Sequence, residues 1–365
     1  MKHFNITGTC YPEQHYMVDF NNRIDHIKEL VAGGQYLTLN RGRQFGKTTL
    51  YFNIVKNLRA DYVMFSITFE GAAEEVFQTP DTLAYTIVEK MWKFIKRQPK
   101  NQDNETAKKI ISDVMAKYTS EERMPFGIFS DFVSDLCDSC TKPVVLIIDE
   151  GDNAGNYDSF VSLLGMFRSS FLRRYEFPTF QSVILTGVYD IRNLTFKDRQ
   201  FPNSPYNIAT PFDMDMSFSP VEIKTMLDDY EKEHHSGMDT KIVAQYIHNY
   251  TDGYPFLVSK LCKSIDEQNL GWNVQGIDTA VTDLVNEKIT LFTEFYNKME
   301  EFPDLKTMVK KILNGEYFLF NVENKAVSLA ASFNWIKNNH GKMKISNKIF
   351  EIWLKNTFVS EKNYV

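Results

Sequence analysis

No stretch of this chain approaches the roughly 18 consecutive apolar residues of a membrane-crossing helix, so no membrane partner is expected. The opening segment MKHFNITGTCYPEQ has no apolar core and no small-residue cleavage site, so a secretory leader is not expected either. Cysteine is scarce, with four in 365 residues. That excludes a disulfide scaffold and fits a reducing compartment, and the expected location is cytoplasmic. Positive charge is not in excess: 41 Lys and Arg stand against 47 Asp and Glu, a net of −6. A uniformly basic nucleic-acid coat is thereby excluded, although a local basic patch is not. Internal repeats and low-complexity tracts are also missing, and with 43% hydrophobic and 24% charged residues the chain is not a disordered one.

What remains is enough chain for about two to three domains. Charge is uneven along it. Residues 306–355 hold nine Lys and three Glu, a net of +6, which leaves −12 for the rest. This asymmetry marks a separate C-terminal module, or only a solvated lysine-rich face.

The first part alternates short apolar runs with helical periodicity. Strands are expected at residues 36–39, 62–69, 144–148 and 182–186, with a fifth at 212–218. Helices are expected between them, at 20–32, 47–58, 79–97, 126–140 and 157–174. Residues 98–123 are polar and read as a mobile insertion, and 195–211 as loop. Strands alternating with helices specify an α/β fold with a parallel sheet covered on both faces. Ser219-Pro220-Val221-Glu222 is a capping box with proline at the first helical position, and the chain beyond it reads as helical. Boundaries are therefore expected near residue 218 and in the polar stretch around 269–275. This divides the chain into 1–218, 219–272 and 273–365.

The strongest chemical signal lies between the first strand and its helix: Arg41-Gly42-Arg43-Gln44-Phe45-Gly46-Lys47-Thr48. A phosphate-binding loop needs backbone N–H groups at a helix N-terminus, a lysine for the β- and γ-phosphates and a hydroxyl for Mg²⁺. Gly46-Lys47-Thr48 supplies the second half of that pattern. Its first glycine is missing, for Arg41 stands there and Gly42 follows one residue later, able to give the turn its freedom at a shifted position.

A second signal is the apolar run 144–148 ending in Asp149-Glu150. Asp149 is placed to hold the Mg²⁺ shell and Glu150 to activate the attacking water. The alternative is an ordinary acidic turn. A third is Thr186, at the end of another strand. If that strand lies between the other two, Thr186 falls beside the γ-phosphate, with Asp190 and Arg192 just beyond; otherwise it is a plain strand terminus.

Together these residues resemble the AAA-ATPase-like proteins of bacteria, near the archaeal-type and STAND-like P-loop ATPases. The matching pieces are His15-Tyr16-Met17-Val18-Asp19, residues 40–49, Leu146-Ile147-Ile148-Asp149-Glu150, residues 180–191, Asp215-Met216-Ser217-Phe218-Ser219 and Gly253-Tyr254-Pro255-Phe256-Leu257-Val258. They span roughly residues 4–357. The resemblance implies a P-loop NTPase core with an added strand between the two nucleotide motifs, then a helical lid, then a winged-helix-like domain. It implies ATP and Mg²⁺ as ligands, held by residues 42–49 (Gly42, Arg43, Gln44, Phe45, Gly46, Lys47, Thr48 and Thr49), with Thr48 and Asp149 on the metal. Members tend to lack the first loop glycine. Many carry a C-terminal PD-(D/E)XK nuclease-like domain, for which no acid–acid–lysine constellation remains here, so no nuclease activity is expected.

Gly253-Tyr254-Pro255 is then either a turn lying over the nucleotide or simply the start of a helix. Tyr16 either flanks the adenine or belongs to the core. Arg43 and Arg192 are the best candidates for a phosphate-stabilising arginine, ahead of Arg41, Arg168, Arg173 and Arg174, with surface charge as the alternative for each. Cys137 and Cys140 have C-x-x-C spacing but no second ligand pair, and read as core. His234-His235 reads as a helix terminus.

The C-terminal stretch suggests helix 305–313, strand 317–320, helix 326–337 and a wing at 341–345. Lys337, Lys342, Lys344 and Lys348 are then available to DNA phosphates. The alternative is a packing or protein-partner module. Three functional readings follow: an ATP-hydrolysing switch, with nucleotide-dependent self-assembly as one of its outputs; a nucleotide-regulated DNA-binding protein; and a binding scaffold without turnover.

Overall fold

The computed structural model describes residues 1–40, 42, 44–155, 157–187, 205–212 and 214–363. The chain divides into a sheet unit (Asn21–Asn40 and Tyr51–Met214) and a helical unit (Met1–Phe20, Arg41–Leu50 and Asp215–Val365).

Through the first part the chain runs α1 (Asn21–Ala32), β1 (Leu37–Asn40), α2 (Lys47–Leu58), β2 (Val63–Thr68), α3 (Pro80–Ile95), α4 (Gln102–Tyr118), α5 (Phe126–Ser139), β3 (Val144–Asp149), α6 (Asp158–Leu172), β4 (Ser182–Gly187) and β5 (Thr210–Pro211). The strands form one parallel sheet in the order β2-β3-β4-β1-β5. Residues 144–148 and all of β4 are buried, as strands covered on both faces must be. β4 is the added strand, lying between β3 and β1. Its register sets Gly187 opposite Asn40 and Leu185 opposite Ile148, so the carboxyl ends of β1, β4 and β3 share one edge. In such sheets that edge is where ligands bind.

α3 shows how the core is specified. Thr79 caps it within a capping box, Pro80 opens it, and Leu83, Ala84, Ile87, Val88, Met91 and Ile95 fall on one buried stripe. Each of these side chains except Ala84 contributes about 1.5–3 kcal/mol when fully buried.

Two expectations for the sheet unit are corrected. Residues 98–123 are not a mobile insertion, since they contain the 17-residue helix α4. Its sequence is mostly polar because its outer face is solvated, while Asp103, Ala107 and Ile111 make a narrow buried stripe at four-residue spacing. The Asp103 carboxylate accepts from the Thr141 backbone N–H (2.6 Å) and hydroxyl (2.9 Å), which ties α4 to the turn before β3. The fifth strand is not residues 212–218 but the two-residue β5. Pro211 has no N–H to give, so β5 sits at the sheet's edge. The Thr210 and Phe212 N–H groups donate to Tyr36 and Thr38 carbonyls on the β1 side (2.7 and 2.9 Å).

The helical unit holds α7 (Pro220–His234), α8 (Thr240–Thr251), α9 (Pro255–Glu267), α10 (Val274–Asn286), α11 (Thr290–Glu301), α12 (Pro303–Leu313), α13 (Lys325–Ser332), β6 (Ile336–Asn339), β7 (Lys342–Ile345) and α14 (Lys348–Asn363). The capping box at Ser219 is formed in both directions, and α7 closes with His234 in its last turn and His235 in the left-handed conformation. Replacing Ser219 with alanine is expected to cost about 1 kcal/mol, read as a lower midpoint in urea unfolding. Cap loss without a change in midpoint would show that α7 is held by packing alone.

The C-terminal helix expected over 326–337 is shorter. α13 stops at Ser332 because Asn334 turns left-handed (φ 55°) and Trp335 drops into the core. Phe295 and Phe333 stack on Trp335 with ring centroids 4.1 and 4.5 Å away. Lys337 consequently lies in β6, where its ammonium pairs with Asp252, whereas Lys342, Lys344 and Lys348 are exposed. The segment expected as a strand at 317–320 pairs with the β6–β7 hairpin through Phe318 and Phe320 (2.9 Å each).

Candidate functional site

Gly42 and residues 44–46 are the described part of the loop that lies in sequence between β1 and α2. Gln44 (φ 58°) and Gly46 (φ 77°) are both left-handed, a backbone that turns successive N–H groups toward one side. The first N–H groups of a helix have no acceptor within it, so this terminus presents donors to an anion. Lys47 is buried and Thr48 exposed. The Thr49 hydroxyl accepts the Cys10 N–H (3.0 Å), tying the N-terminal segment to the loop.

Two contacts within the helical unit set the loop's shape. A Cβ on Gly42 would come within 2.9 Å of the Phe333 carbonyl oxygen and 3.2 Å of its Cα. Close backbone approach is thus a reason for glycine at this position. Phe45 is buried, edge-on to the Tyr254 ring at 4.7 Å, and Tyr254 in turn meets Phe350 of α14 at 5.6 Å. Pro255 is the first residue of α9, so the Gly253-Tyr254-Pro255 turn both starts a helix and touches the loop.

The acidic half belongs to the sheet unit. Asp149 Oδ1 accepts from the Glu150 N–H at 2.9 Å and from the Thr186 hydroxyl at 2.5 Å. Among the described residues Asp149 Oδ2 takes no hydrogen bond, and both acids are half-buried. Glu150 is left-handed (φ 54°), uncommon for a residue with a long side chain. Tyr51, one turn after Lys47 on α2, is fully enclosed beside Asp149 and Thr186. Burial, and then the negative charge of Asp149, hold its phenol far above the ordinary pKa. Its hydroxyl lies beside both of them and has no hydrogen-bond partner among the described residues.

The structure therefore brings Asp149, Glu150 and Thr186 together at one sheet edge, and Gly42, Phe45, Tyr254 and Pro255 together in the helical unit. Tyr16 is buried: its hydroxyl donates to Glu233 (2.7 Å), and its ring packs on Phe4 and Tyr230. Arg168 bonds the Asn207 side chain, Arg173 pairs with Glu176 (3.2 Å) and Arg174 donates to the Gly34 carbonyl (2.8 Å). Arg41, Arg43, Asp190 and Arg192 lie outside the described residues. Cys137 and Cys140 are half-buried free thiols packed on the core; burial pushes Cys137 well up and Cys140 up to about 11. Sequence reasoning missed Tyr51, Phe333 and the Phe45–Tyr254 pair. Only Tyr51 carried a signal, its four-residue spacing from Lys47.

No curated protein matches the sequence. Among solved structures, a Walker-type ATPase of Pyrococcus abyssi aligns with a TM-score of 0.65 at 14% identity, over 96% of this chain and 99% of that one. The ORC2 protein of Aeropyrum pernix, in its ADPNP–ADP complexes, aligns with a TM-score of 0.48 at 11% identity, over 93% of each chain. At such identity the first likeness is one of fold. The family model described as AAA-like domain matches residues 13–356, and the chain belongs to that AAA-like family.

Proposed function

We propose that the chain binds ATP with Mg²⁺ at residues 42–49 and hydrolyses it with the acids of β3. The observation that carries this reading is the Thr186–Asp149 hydrogen bond. It joins the acidic end of β3 to the added strand β4.

The donor set fits a magnesium nucleotide. The loop offers N–H groups and the Lys47 ammonium to phosphate, with Arg43 as a second cation. Thr48 offers an exposed hydroxyl and Asp149 a carboxylate oxygen, a hard-oxygen pair suited to Mg²⁺. Bound Mg²⁺ would neutralise charge on the β- and γ-phosphates. Glu150 takes the proton of the attacking water, and Thr186 holds Asp149 in position. A glutamate in a left-handed backbone, at a cost of about 1–2 kcal/mol, supports a functional role for its side chain. The turn at Tyr254 and Pro255 reports loop conformation to α9 and α14.

The test is calorimetric titration of ATP·Mg²⁺ into the purified chain and into Lys47→Ala. Saturable binding by the natural chain is expected, weakened at least about thirtyfold in the variant, as loss of one charged hydrogen-bond donor to phosphate implies. No binding by the natural chain removes the reading.

A further inference from the structure

We propose that Tyr51 is a positioning residue for the metal side of this site: its hydroxyl completes the hydrogen bonding of Asp149 when magnesium nucleotide is bound. This rests on the nucleotide reading above and goes beyond the residues any phosphate-loop pattern names.

The starting point is a mismatch between chemistry and packing. Tyr51 is 4% exposed, and its hydroxyl has no hydrogen-bond partner among the described residues. A buried hydroxyl without a partner is a standing cost to the fold. Phenylalanine would fill the same space without that cost, so packing alone does not account for a tyrosine. The hydroxyl's immediate polar neighbours are Asp149 and Thr186. Thr186 already donates to Asp149 Oδ1, and the Glu150 N–H donates to the same oxygen. Oδ1 is therefore fully engaged, and the phenol stands beside a carboxylate whose other oxygen takes no hydrogen bond among the described residues.

The direction of donation follows from the groups themselves: the phenol has one O–H to give, and a carboxylate oxygen only accepts. A small turn of the carboxylate toward a cation, or a water on that cation, supplies the acceptor that the phenol lacks.

The test compares Tyr51→Phe with the natural chain by thermal melting, without ligand, with ADP in EDTA, and with ADP over a magnesium titration. Without ligand the variant is expected to melt at the same temperature or higher. Its response to ADP in EDTA is expected to be unchanged. The magnesium concentration needed for half of the metal-dependent shift is expected to rise about tenfold, the worth of one hydrogen bond to a charged group. A purely structural tyrosine predicts the reverse, with a lower melting temperature and an unchanged magnesium midpoint, and either result overturns the proposal. If the natural chain shows no shift with ADP and magnesium, the nucleotide reading fails and takes this one with it. If the natural chain shifts and the variant matches it, this one alone fails.

Discussion

Glu150→Gln is expected to lower the turnover of ATP by roughly 10²–10⁴, the usual contribution of a general base, while leaving ATP binding within a fewfold of the natural chain. The substitution keeps the size of the side chain and the backbone N–H that donates to Asp149, so the acidic end of β3 keeps its shape. What it removes is the capacity to accept a proton from water. Glutamine is no worse than glutamate in the left-handed backbone found there (φ 54°), so folding is not expected to suffer. Single-turnover phosphate release and calorimetric binding on the same preparation separate the two effects. Undiminished release would take the base role from Glu150. Loss of binding together with release would show that the carboxylate serves the ligand's ground state instead.

Much of the candidate site is legible in the sequence because its parts are local. Gly46-Lys47-Thr48 is contiguous, and a run of buried aliphatic residues ending in Asp149-Glu150 reads as a central strand with an acid edge. The capping box at Ser219 is likewise a four-residue pattern, and it forms as expected. The misses share a different character. α4 was hidden because its buried residues are Asp103, Asn104, Ala107 and Ile111, and two of those four are polar. β5 was misplaced because a two-residue strand, one residue of it proline, gives no alternation to read. Tyr51 is a core aromatic by pattern, and only its neighbours across the sheet edge, Asp149 and Thr186, make its hydroxyl a polar question. Gly42 is the clearest case. Sequence reading gave it a turn's freedom, yet its backbone abuts Phe333, some 290 residues further along, and no local pattern carries that information.

Within the helical unit, two of the loop's contacts lead to one aromatic cluster. Phe45 meets Tyr254, Tyr254 meets Phe350, and Phe350 meets Phe295 at 5.8 Å. Phe295 stacks on Trp335, which stacks on Phe333, whose carbonyl faces Gly42. The ring is closed: the loop enters it at residue 45 and leaves it at residue 42. Interiors packed this way resist small local shifts, so loop conformation and the packing of α11, α13 and α14 are not independent.

Gly253 is where that dependence is most open to test, and Gly253→Ala is expected to destabilise the helical unit by about 2–4 kcal/mol. Two costs add. The backbone there is left-handed (φ 74°), which a Cβ penalises by itself. The Cβ would also lie 2.2 Å from the Phe218 carbonyl oxygen and 2.7 Å from its nitrogen, both backbone atoms with no rotamer to yield. The contact is fixed because the Gly253 carbonyl accepts the Phe218 N–H at 2.8 Å, just before the capping box that starts α7. Relief therefore requires the 252–254 turn to move, and Tyr254 moves with it. Phe45 would lose its edge-on neighbour, so weaker nucleotide binding should accompany the loss of stability. Urea unfolding measures the first effect and calorimetry the second. An alanine variant with the natural midpoint would mean that the turn accommodates the methyl group by itself. A less stable variant with unchanged nucleotide affinity would mean that the loop holds its shape without Tyr254.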